Sequence, residues 1–251
     1  MKTFPVYVYL SFLLIGPLAL LIRVSLYEPG HGRGFYTPGT WTLANYLALS
    51  RDALLPGIVG FTIGAALGMT LLTLSVAYPL ALWVQGLPAG QRHVALGLIV
   101  LPKLCNVLAV LFGLRLLLPR GLIGVLLAEV YLLIPYAVIL IVAGLGRIDP
   151  VLHEAARTLG ASPWQTFWQV TWPLSRPGLW AATQLTLIWS LAALLGPLLF
   201  GDAEQTTLAI EIQKQATEYH RWPRAAALAV LLLGLIALPI VLVPRCQETT
   251  R

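Results

Sequence analysis

Six long apolar stretches, separated by more polar segments, constrain the fold of this chain more than any other feature. They cover approximately residues 5–27, 57–83, 94–118, 122–146, 178–200 and 225–243. The hydrocarbon core of a bilayer is roughly 30 Å thick, and an α-helix of about 20 apolar residues crosses it. Backbone polar groups in that core must bond within the protein, which favours helices for stretches of this length. The sequence therefore predicts an all-α membrane protein with about six transmembrane helices, in a single domain over residues 1–251.

The composition agrees with an integral membrane protein and excludes an ordinary soluble domain. Hydrophobic residues make up 58% of the 251 residues and charged residues only 10%, whereas soluble domains are about a quarter charged. The net charge of +6 comes from scattered basic residues. We therefore expect no nucleic-acid partner, and we expect some of these residues to face membrane lipids. The first apolar stretch exceeds the core of a signal peptide and no small-x-small pattern follows it, which favours a retained span.

Three glycines recur four residues apart in the second apolar stretch, at Gly60, Gly64 and Gly68. Small residues at this spacing share one face of a helix and let a neighbouring membrane helix approach closely. The stripe therefore predicts a close helix contact.

The polar segment over residues 147–177 carries strong helix signals of its own. Asp149 is a favourable N-cap, and Pro150 follows at the first helical position, where its missing N–H is harmless. Apolar residues then recur at helical spacing as far as residue 159. Gly160 can take the left-handed conformation that ends such a helix. The first part of the segment therefore predicts a short helix that stops at a glycine corner.

A second helix signal begins directly after this glycine. Ser162 is a favourable N-cap, Pro163 follows it, and Gln165 completes the pattern of a capping box. The apolar stripe of the second helix consists of Trp164, Phe167 and Trp168. The whole segment therefore predicts two short helices joined by a corner, with the charged side chains left free.

The residues of this corner resemble the EAA loop of ABC importer permeases. That family's pattern is EAA, three residues, Gly, nine residues and Ile-x-Leu-Pro. The chain has Glu154-Ala155-Ala156, three residues, Gly160, nine residues, Val170, one residue, Trp172 and Pro173. Valine and tryptophan thus stand where the family has isoleucine and leucine. The resemblance extends more loosely from about residue 54 to residue 240, and it is nearest to the branch whose members carry polyamines, thiamine, ferric iron or phosphonates.

The resemblance implies a type I ABC importer transmembrane domain that forms half of a solute translocation path. The loop over residues 147–177 would be a cytoplasmic coupling-helix loop, and both termini would lie on the cytoplasmic side of a bacterial inner membrane. The implied partners are two ABC ATPase subunits, a second permease subunit that is identical or homologous, and a periplasmic or lipid-anchored substrate-binding protein. The implied substrate is polyamine-like or another small solute. The residues that the resemblance assigns to ATPase coupling are Glu154, Ala155, Ala156, Gly160, Ser162, Pro163 and Pro173.

Three charged residues lie inside the third and fourth apolar stretches, at Lys103, Arg115 and Glu129. A charge at bilayer depth costs about 2.5–3.5 kcal/mol on insertion scales, so each is expected to face protein or water and to find a partner. Counting along straight helices at 1.5 Å per residue places Glu129 roughly 7 Å deeper than Arg115 and roughly 10 Å shallower than Lys103, gaps that long side chains could bridge. Two interpretations stay open: a buried ion pair that holds the two helices together, or side chains that line the translocation path.

The sequence contains none of the patterns that would indicate an enzyme. No G-x-x-x-x-G-K-[ST] loop is present to hold ATP phosphates, and the four histidines are isolated, without metal-ligand spacing. We therefore expect a transport subunit with no cofactor and no metal site, served by ATP hydrolysis on a separate subunit.

Other interpretations of the sequence remain. The 147–177 segment could be an amphipathic helix pair lying on the membrane surface. The chain could be a secondary transporter or channel subunit without an ATPase, in which the three charged residues form an ion path. It could also be a scaffold that transports nothing. Dependence of solute flux on an ATPase separates these classes.

Overall fold

The computed structural model describes residues 4–30, 35–37, 39–202 and 204–242, and within these residues the protein is almost entirely helical. The α-helices are α1 Phe4–Ser25, α2 Ala44–Ser50, α3 Leu55–Gly86, α4 Ala89–Val100, α5 Val107–Leu117, α6 Leu122–Leu145, α7 Pro150–Thr158, α8 Pro163–Thr166, α9 Trp172–Leu191, α10 Leu195–Phe200, α11 Leu208–Thr217 and α12 Trp222–Leu242. A 3₁₀ turn at Leu101–Leu104 and a π-helical turn at Phe167–Thr171 complete the helical segments. Two short antiparallel strands, β1 Glu28–Pro29 and β2 Tyr36–Thr37, pair Glu28 with Thr37 and Pro29 with Tyr36.

The chain divides into two compact units, of which the first comprises residues 1–62 and 206–237. The buried core residues of this unit are Leu49, Leu208, Ala227 and Leu228. The backbone N–H of Leu208 donates to the Thr62 hydroxyl at 2.9 Å. Since the first N–H groups of a helix have no partner within it, this bond fixes the start of α11 against α3.

Polar contacts fix the ends of several helices in the same unit. The Asn45 side chain donates to the carbonyl oxygens of Ser25 and Tyr27 at 2.9 and 2.8 Å, which ties α2 to the end of α1. The Arg224 guanidinium donates to the Asp52 carboxylate and forms an ion pair with it. This pair joins the segment before α3 to the first turn of α12.

The second unit comprises residues 63–205 and 238–251, and α6 lies in its core. Its buried apolar cluster joins α3, α6 and α9 and consists of Ala77, Ala81, Ala137, Val138, Ile141, Leu145 and Ala182. Four of these seven residues are alanines, and small side chains let membrane helices pack with their backbones close together.

One close helix approach in this unit involves a glycine pair that the sequence analysis did not single out. A Cβ atom added to Gly144 would lie 2.6 Å from the Cα of Gly178, so α6 and α9 touch backbone to backbone. The predicted contact at the glycine stripe of α3 is not found within the described residues. A Cβ at Gly60 or Gly64 would meet nothing within 4 Å, and at Gly68 it would make only an ordinary contact. Only the Gly68 end of the stripe therefore meets a described helix, through the Leu126 side chain of α6, which lies 3.6 Å from the added Cβ.

The helices confirm the predicted all-α membrane architecture, while the number of spans stays a prediction. Among the described residues, three helices are long and apolar enough to cross a membrane: Leu55–Gly86, Leu122–Leu145 and Trp222–Ile240. The bent pair Ala89–Leu104 and Val107–Leu117 would make a fourth span if both parts belong to one crossing.

The predicted third span over residues 94–118 is not one continuous helix, and whether its two parts form one crossing stays a prediction. The α-helix gives way to the 3₁₀ turn, and the chain bends by 95° before α5 begins. Pro102 contributes no backbone N–H, which weakens a continuous helix at this point. The Asn106 side chain then accepts a hydrogen bond from the Leu108 N–H at 2.9 Å and caps a new helix.

The predicted fifth span over residues 178–200 is also not one helix. Helix α9 begins already at Trp172 and ends at Leu191, and α10 restarts the helix at Leu195. The interruption faces α6, where the Glu129 carboxylate accepts a hydrogen bond from the restarted helix.

Candidate coupling loop and membrane cavity

The first half of the 147–177 loop adopts the predicted capped helix and glycine corner. The Asp149 Oδ1 accepts a hydrogen bond from the Val151 N–H at 3.0 Å, and Pro150 occupies the first position of α7. The helix ends at Thr158, and Gly160 has a φ of +79°. This left-handed value is favourable for glycine because it has no Cβ. The caps are thus confirmed, whereas the coupling role of these residues stays a prediction.

The second half of the loop begins with the predicted capping box. The Gln165 N–H donates to the Ser162 Oγ at 3.3 Å, and the Ser162 N–H donates to the Gln165 Oε1 at 2.8 Å. The prediction of a separate short helix is wrong, because α8 continues through the π-helical turn into α9. Pro173 lies in the first turn of α9, directly after the π-helical turn, where it contributes no backbone N–H to the continuous helix. The corner is therefore joined directly to a long membrane helix.

Two contacts hold the halves of the loop to each other and to the membrane helices. The His153 Nε2 on α7 lies 3.1 Å from the hydroxyl of Thr171 at the end of the π-helical turn. The Tyr78 hydroxyl on α3 lies 2.9 Å from the Ser175 Oγ on α9, and the Tyr78 ring packs edge-on against Trp172 with centroids 5.5 Å apart. The loop is therefore attached to α3 as well as to α9.

The tip of the loop exposes large apolar side chains beside its charged ones. Leu159 is 87% exposed and Trp164 is 70% exposed. Glu154 is also exposed, and it lines a cavity of about 590 Å³ together with Gln85 and Arg157. Among the other predicted coupling residues, Ala156 and Pro173 are half-buried and the remaining ones are exposed: Ala155, Gly160, Ser162 and Pro163. The loop thus places the predicted residues on an accessible, internally braced surface.

A second feature lies deeper, where a cavity of about 620 Å³ opens between the bend before α5, α6 and the end of α9. Lys103 and Glu129 both line it, together with Tyr136 and Trp189. The Glu129 side chain is on α6 and only 2% of this residue is exposed. Its Oε1 accepts a hydrogen bond from the Gly196 N–H at 3.0 Å. The two charged residues thus line one cavity whose other walls are largely apolar.

Arg115 lies apart from this cavity. Its Nη1 donates to the Leu118 carbonyl oxygen at 3.4 Å, and its guanidinium lies 5.7 Å from the ring centroid of Phe200. Within the described residues, no ion pair shorter than 4 Å joins Arg115, Lys103 and Glu129. The structure therefore brings two of the three predicted residues together and places the third at the end of α5.

The sequence analysis missed the aromatic side chains of the cavity. Tyr136 and Trp189 come from α6 and α9, and their ring centroids lie 5.3 Å apart. Neither residue belongs to a local pattern, because they are separated by 53 positions in the chain.

These features define a class of protein. Several described helices are apolar and long enough to span a membrane, one of them, α6, lines a cavity that holds a carboxylate and an ammonium, and a braced loop presents an accessible surface. This arrangement is that of an α-helical membrane transport subunit. Residues 4–246 match the family described as "Binding-protein-dependent transport system inner membrane component". The chain belongs to this family. It is a multi-pass inner-membrane permease subunit of an ABC importer that works with a substrate-binding protein.

Two similar relatives carry the same name, spermidine/putrescine transport system permease protein PotB. The protein of Escherichia coli (strain K12) is 29% identical over 230 residues, which cover 83% of this chain and 83% of that protein. The protein of Haemophilus influenzae is 26% identical over 265 residues, covering 97% of this chain and 92% of that protein.

Two solved structures share the fold. One is a bacterial ABC transporter involved in the import of the acidic polysaccharide alginate, with a TM-score of 0.69, 17% identity, and coverage of 97% of this chain and 94% of that chain. The other is a bacterial alginate ABC transporter in complex with an alginate pentasaccharide-bound periplasmic protein. Its TM-score is 0.72 at 16% identity, covering 96% of this chain and 90% of that chain. The fold is therefore that of an ABC importer transmembrane subunit.

Proposed function

We propose that this permease forms half of a translocation path for a polyamine-like solute and is driven by two ATPase subunits that dock on the 147–177 loop. ATP hydrolysis takes place on those subunits, and a second permease subunit, identical or homologous, forms the other half of the path. The whole chain, residues 1–251, acts as a single permease domain with both termini and the loop in the cytoplasm. The names of the two relatives support the choice of an amine-bearing solute.

The observation that carries this proposal is the form of the loop. Its two helices are capped by their own side chains, a left-handed glycine sets the corner, and apolar residues at the tip remain exposed. A large exposed apolar side chain rimmed by polar residues is typical of a protein–protein contact. Because α8 continues into α9, a displacement of the tip is transmitted to a membrane helix. Such a loop fits a subunit that receives mechanical work from a nucleotide-hydrolysing partner.

The test is the substitution Gly160→Asp in the complete importer. A non-glycine residue at a φ of +79° costs roughly 1–2 kcal/mol, and the carboxylate adds a charge at the docking surface. We expect normal membrane insertion, loss of ATPase co-purification and loss of uptake. Gly39→Asp is the matched control, because Gly39 has a φ of +86° and a Cβ there also meets nothing within 4 Å. Its ATPase co-purification should match the wild type. Normal ATPase capture by Gly160→Asp would contradict the docking site.

The cavity that contains Lys103 and Glu129 favours one other function, an ion-coupled transporter or channel. Proteoliposomes containing the complete importer separate the two. The importer proposal predicts that spermidine uptake requires ATP and the ATPase subunits and persists without an ion gradient. Uptake driven by an ion gradient in the absence of the ATPase would favour the other function.

A further inference from the structure

The ammonium of Lys103 lies against aromatic rings. Its Nζ is 4.5 Å from the ring centroid of Tyr136 and 5.8 Å from that of Trp189. The two rings are tilted by 34° with their centroids 5.3 Å apart, so they form two walls of one small site. A cation within about 6 Å of such a ring is attracted by the negative face of its π system. The pair therefore holds a positive charge inside the membrane cavity.

Glu129 contributes the opposite charge to the same cavity. It is almost fully buried, and within the described residues no basic group forms an ion pair with it below 4 Å. One carboxylate oxygen accepts the Gly196 N–H, which stabilises the side chain in place without neutralising its charge. An ionised carboxylate in a low-dielectric interior is costly unless a cation lies nearby. A cation in this cavity, whether it belongs to Lys103 or to a ligand, therefore stabilises the ionised form of Glu129.

The position of Lys103 allows it to leave the rings. Lys103 is half-buried and belongs to the 3₁₀ turn immediately before the 95° bend. It therefore lies where the α-helix is interrupted and not in the interior of a helix. Lysine carries a compact charge on a flexible stem with four carbons. The same site could therefore exchange one ammonium for another without unfolding a helix.

We propose that Tyr136, Trp189 and Glu129 form an ammonium site and that Lys103 is a tethered occupant, displaced when the amine of the solute enters. This inference rests on the proposed function. It adds that the ammonium of Lys103 occupies the site between transport events. Each ring offers a face to any primary ammonium, whether it is attached to the chain or to a diamine. Lys103 thereby competes with the solute and weakens its binding.

The experiment is a calorimetric titration of the complete importer in lipid nanodiscs with 1,4-diaminobutane, without nucleotide. Lys103→Met removes the competing charge and keeps a side chain of similar length. It should tighten diamine binding about two- to fivefold, the scale of one partly exposed cation–π contact, because Lys103 is half-buried and Trp189 is 44% exposed. Lys103→Arg is the matched control because it keeps a cation, and its affinity should stay near that of the wild type. Tyr136→Leu in the Lys103→Met background should reverse the gain, whereas Tyr136→Phe, which keeps the ring, should not.

Several outcomes would overturn the inference. Unchanged, weaker or undetectable diamine binding by Lys103→Met in an assembled importer would show that Lys103 does not compete for the site. Binding of sulfate by the wild type that is lost in Lys103→Met would show that the lysine is instead a ligand for anions. If Lys103→Met does not assemble, Lys103→Gln takes its place with the same expectations.

ATP-driven uptake of spermidine by the wild type tests the proposed function separately. If that uptake is absent while Lys103→Met still binds the diamine more tightly than the wild type does, the ammonium site is supported and the proposal of a polyamine substrate is wrong. If uptake is present and the Lys103 variants bind the diamine as tightly as the wild type does, the polyamine substrate is supported and the proposed displacement of Lys103 is wrong.

Discussion

The contact between Gly144 and Gly178 gives a sharp test of how the second unit is packed. A Cβ atom at Gly144 would lie 2.6 Å from the Cα of Gly178, whereas nonbonded carbons prefer about 3.5–4.0 Å. The two backbones would have to separate by about 1 Å. Overpacking of this kind costs about 1–3 kcal/mol, and alanine returns up to about 1 kcal/mol through its helix propensity. We therefore expect Gly144→Ala to lower the free energy of unfolding by about 1–2 kcal/mol.

Unfolding of the purified protein in mixed detergent and denaturing-detergent micelles measures this change. Gly64→Ala is the matched control, since Gly64 is also a helical glycine and a Cβ there would meet nothing within 4 Å. Because no clash arises, only the higher helix propensity of alanine affects stability. This variant should be as stable as the wild type or up to about 1 kcal/mol more stable. If Gly144→Ala proves as stable as Gly64→Ala, the two helices do not cross at these glycines and the packing argument fails.

Three further predictions concern single polar contacts. Thr171→Val keeps the side-chain shape but removes the hydrogen bond to His153, so it should lower uptake and reduce loop stability by about 0.5–1.5 kcal/mol. Protease protection of the loop measures this change, and unchanged protection would show that the His153 contact does not stabilise the loop. Ser162→Ala removes one half of the capping box and should destabilise α8 by about 1 kcal/mol, seen as faster amide hydrogen exchange there; wild-type exchange would contradict the cap. Asp52→Asn breaks a partly exposed ion pair with Arg224 and should cost no more than about 1 kcal/mol; a larger loss in a melting experiment would mean that the pair is effectively buried.

The sequence predicts most accurately the features that depend on neighbouring residues. The caps at Asp149 and Ser162 and the left-handed Gly160 follow from side chains that bond two or three positions away. No distant contact is needed to form them, so a local pattern suffices. The all-α membrane architecture is equally predictable because it depends only on the length and apolarity of segments.

The features that were missed depend on where helices break and which faces meet. Counting depths along straight helices allowed Arg115 to approach Glu129, but the 95° bend places Lys103 at the cavity and Arg115 away from it. The break had a local signal in Pro102 and Asn106, which the apolarity of the surrounding stretch obscured. The crossing of α6 and α9 had no local signal, because a glycine permits close approach only if a second small residue lies opposite.

The π-helical turn at Phe167–Thr171 has a consequence for engineering this class of subunit. An α-helix turns by about 100° per residue, and a π turn accommodates one residue more than an α turn. Deleting one residue within this turn would let the ladder close as an ordinary α-helix with little rotation of the corner, whereas deleting one residue from the α-helical part of α9 would rotate the corner by about 100° around the helix axis. A chimaera that grafts this corner onto another importer must therefore match its spacing to α9, including the extra residue of the π turn, as well as its EAA-loop residues, or the exposed tip will face another direction.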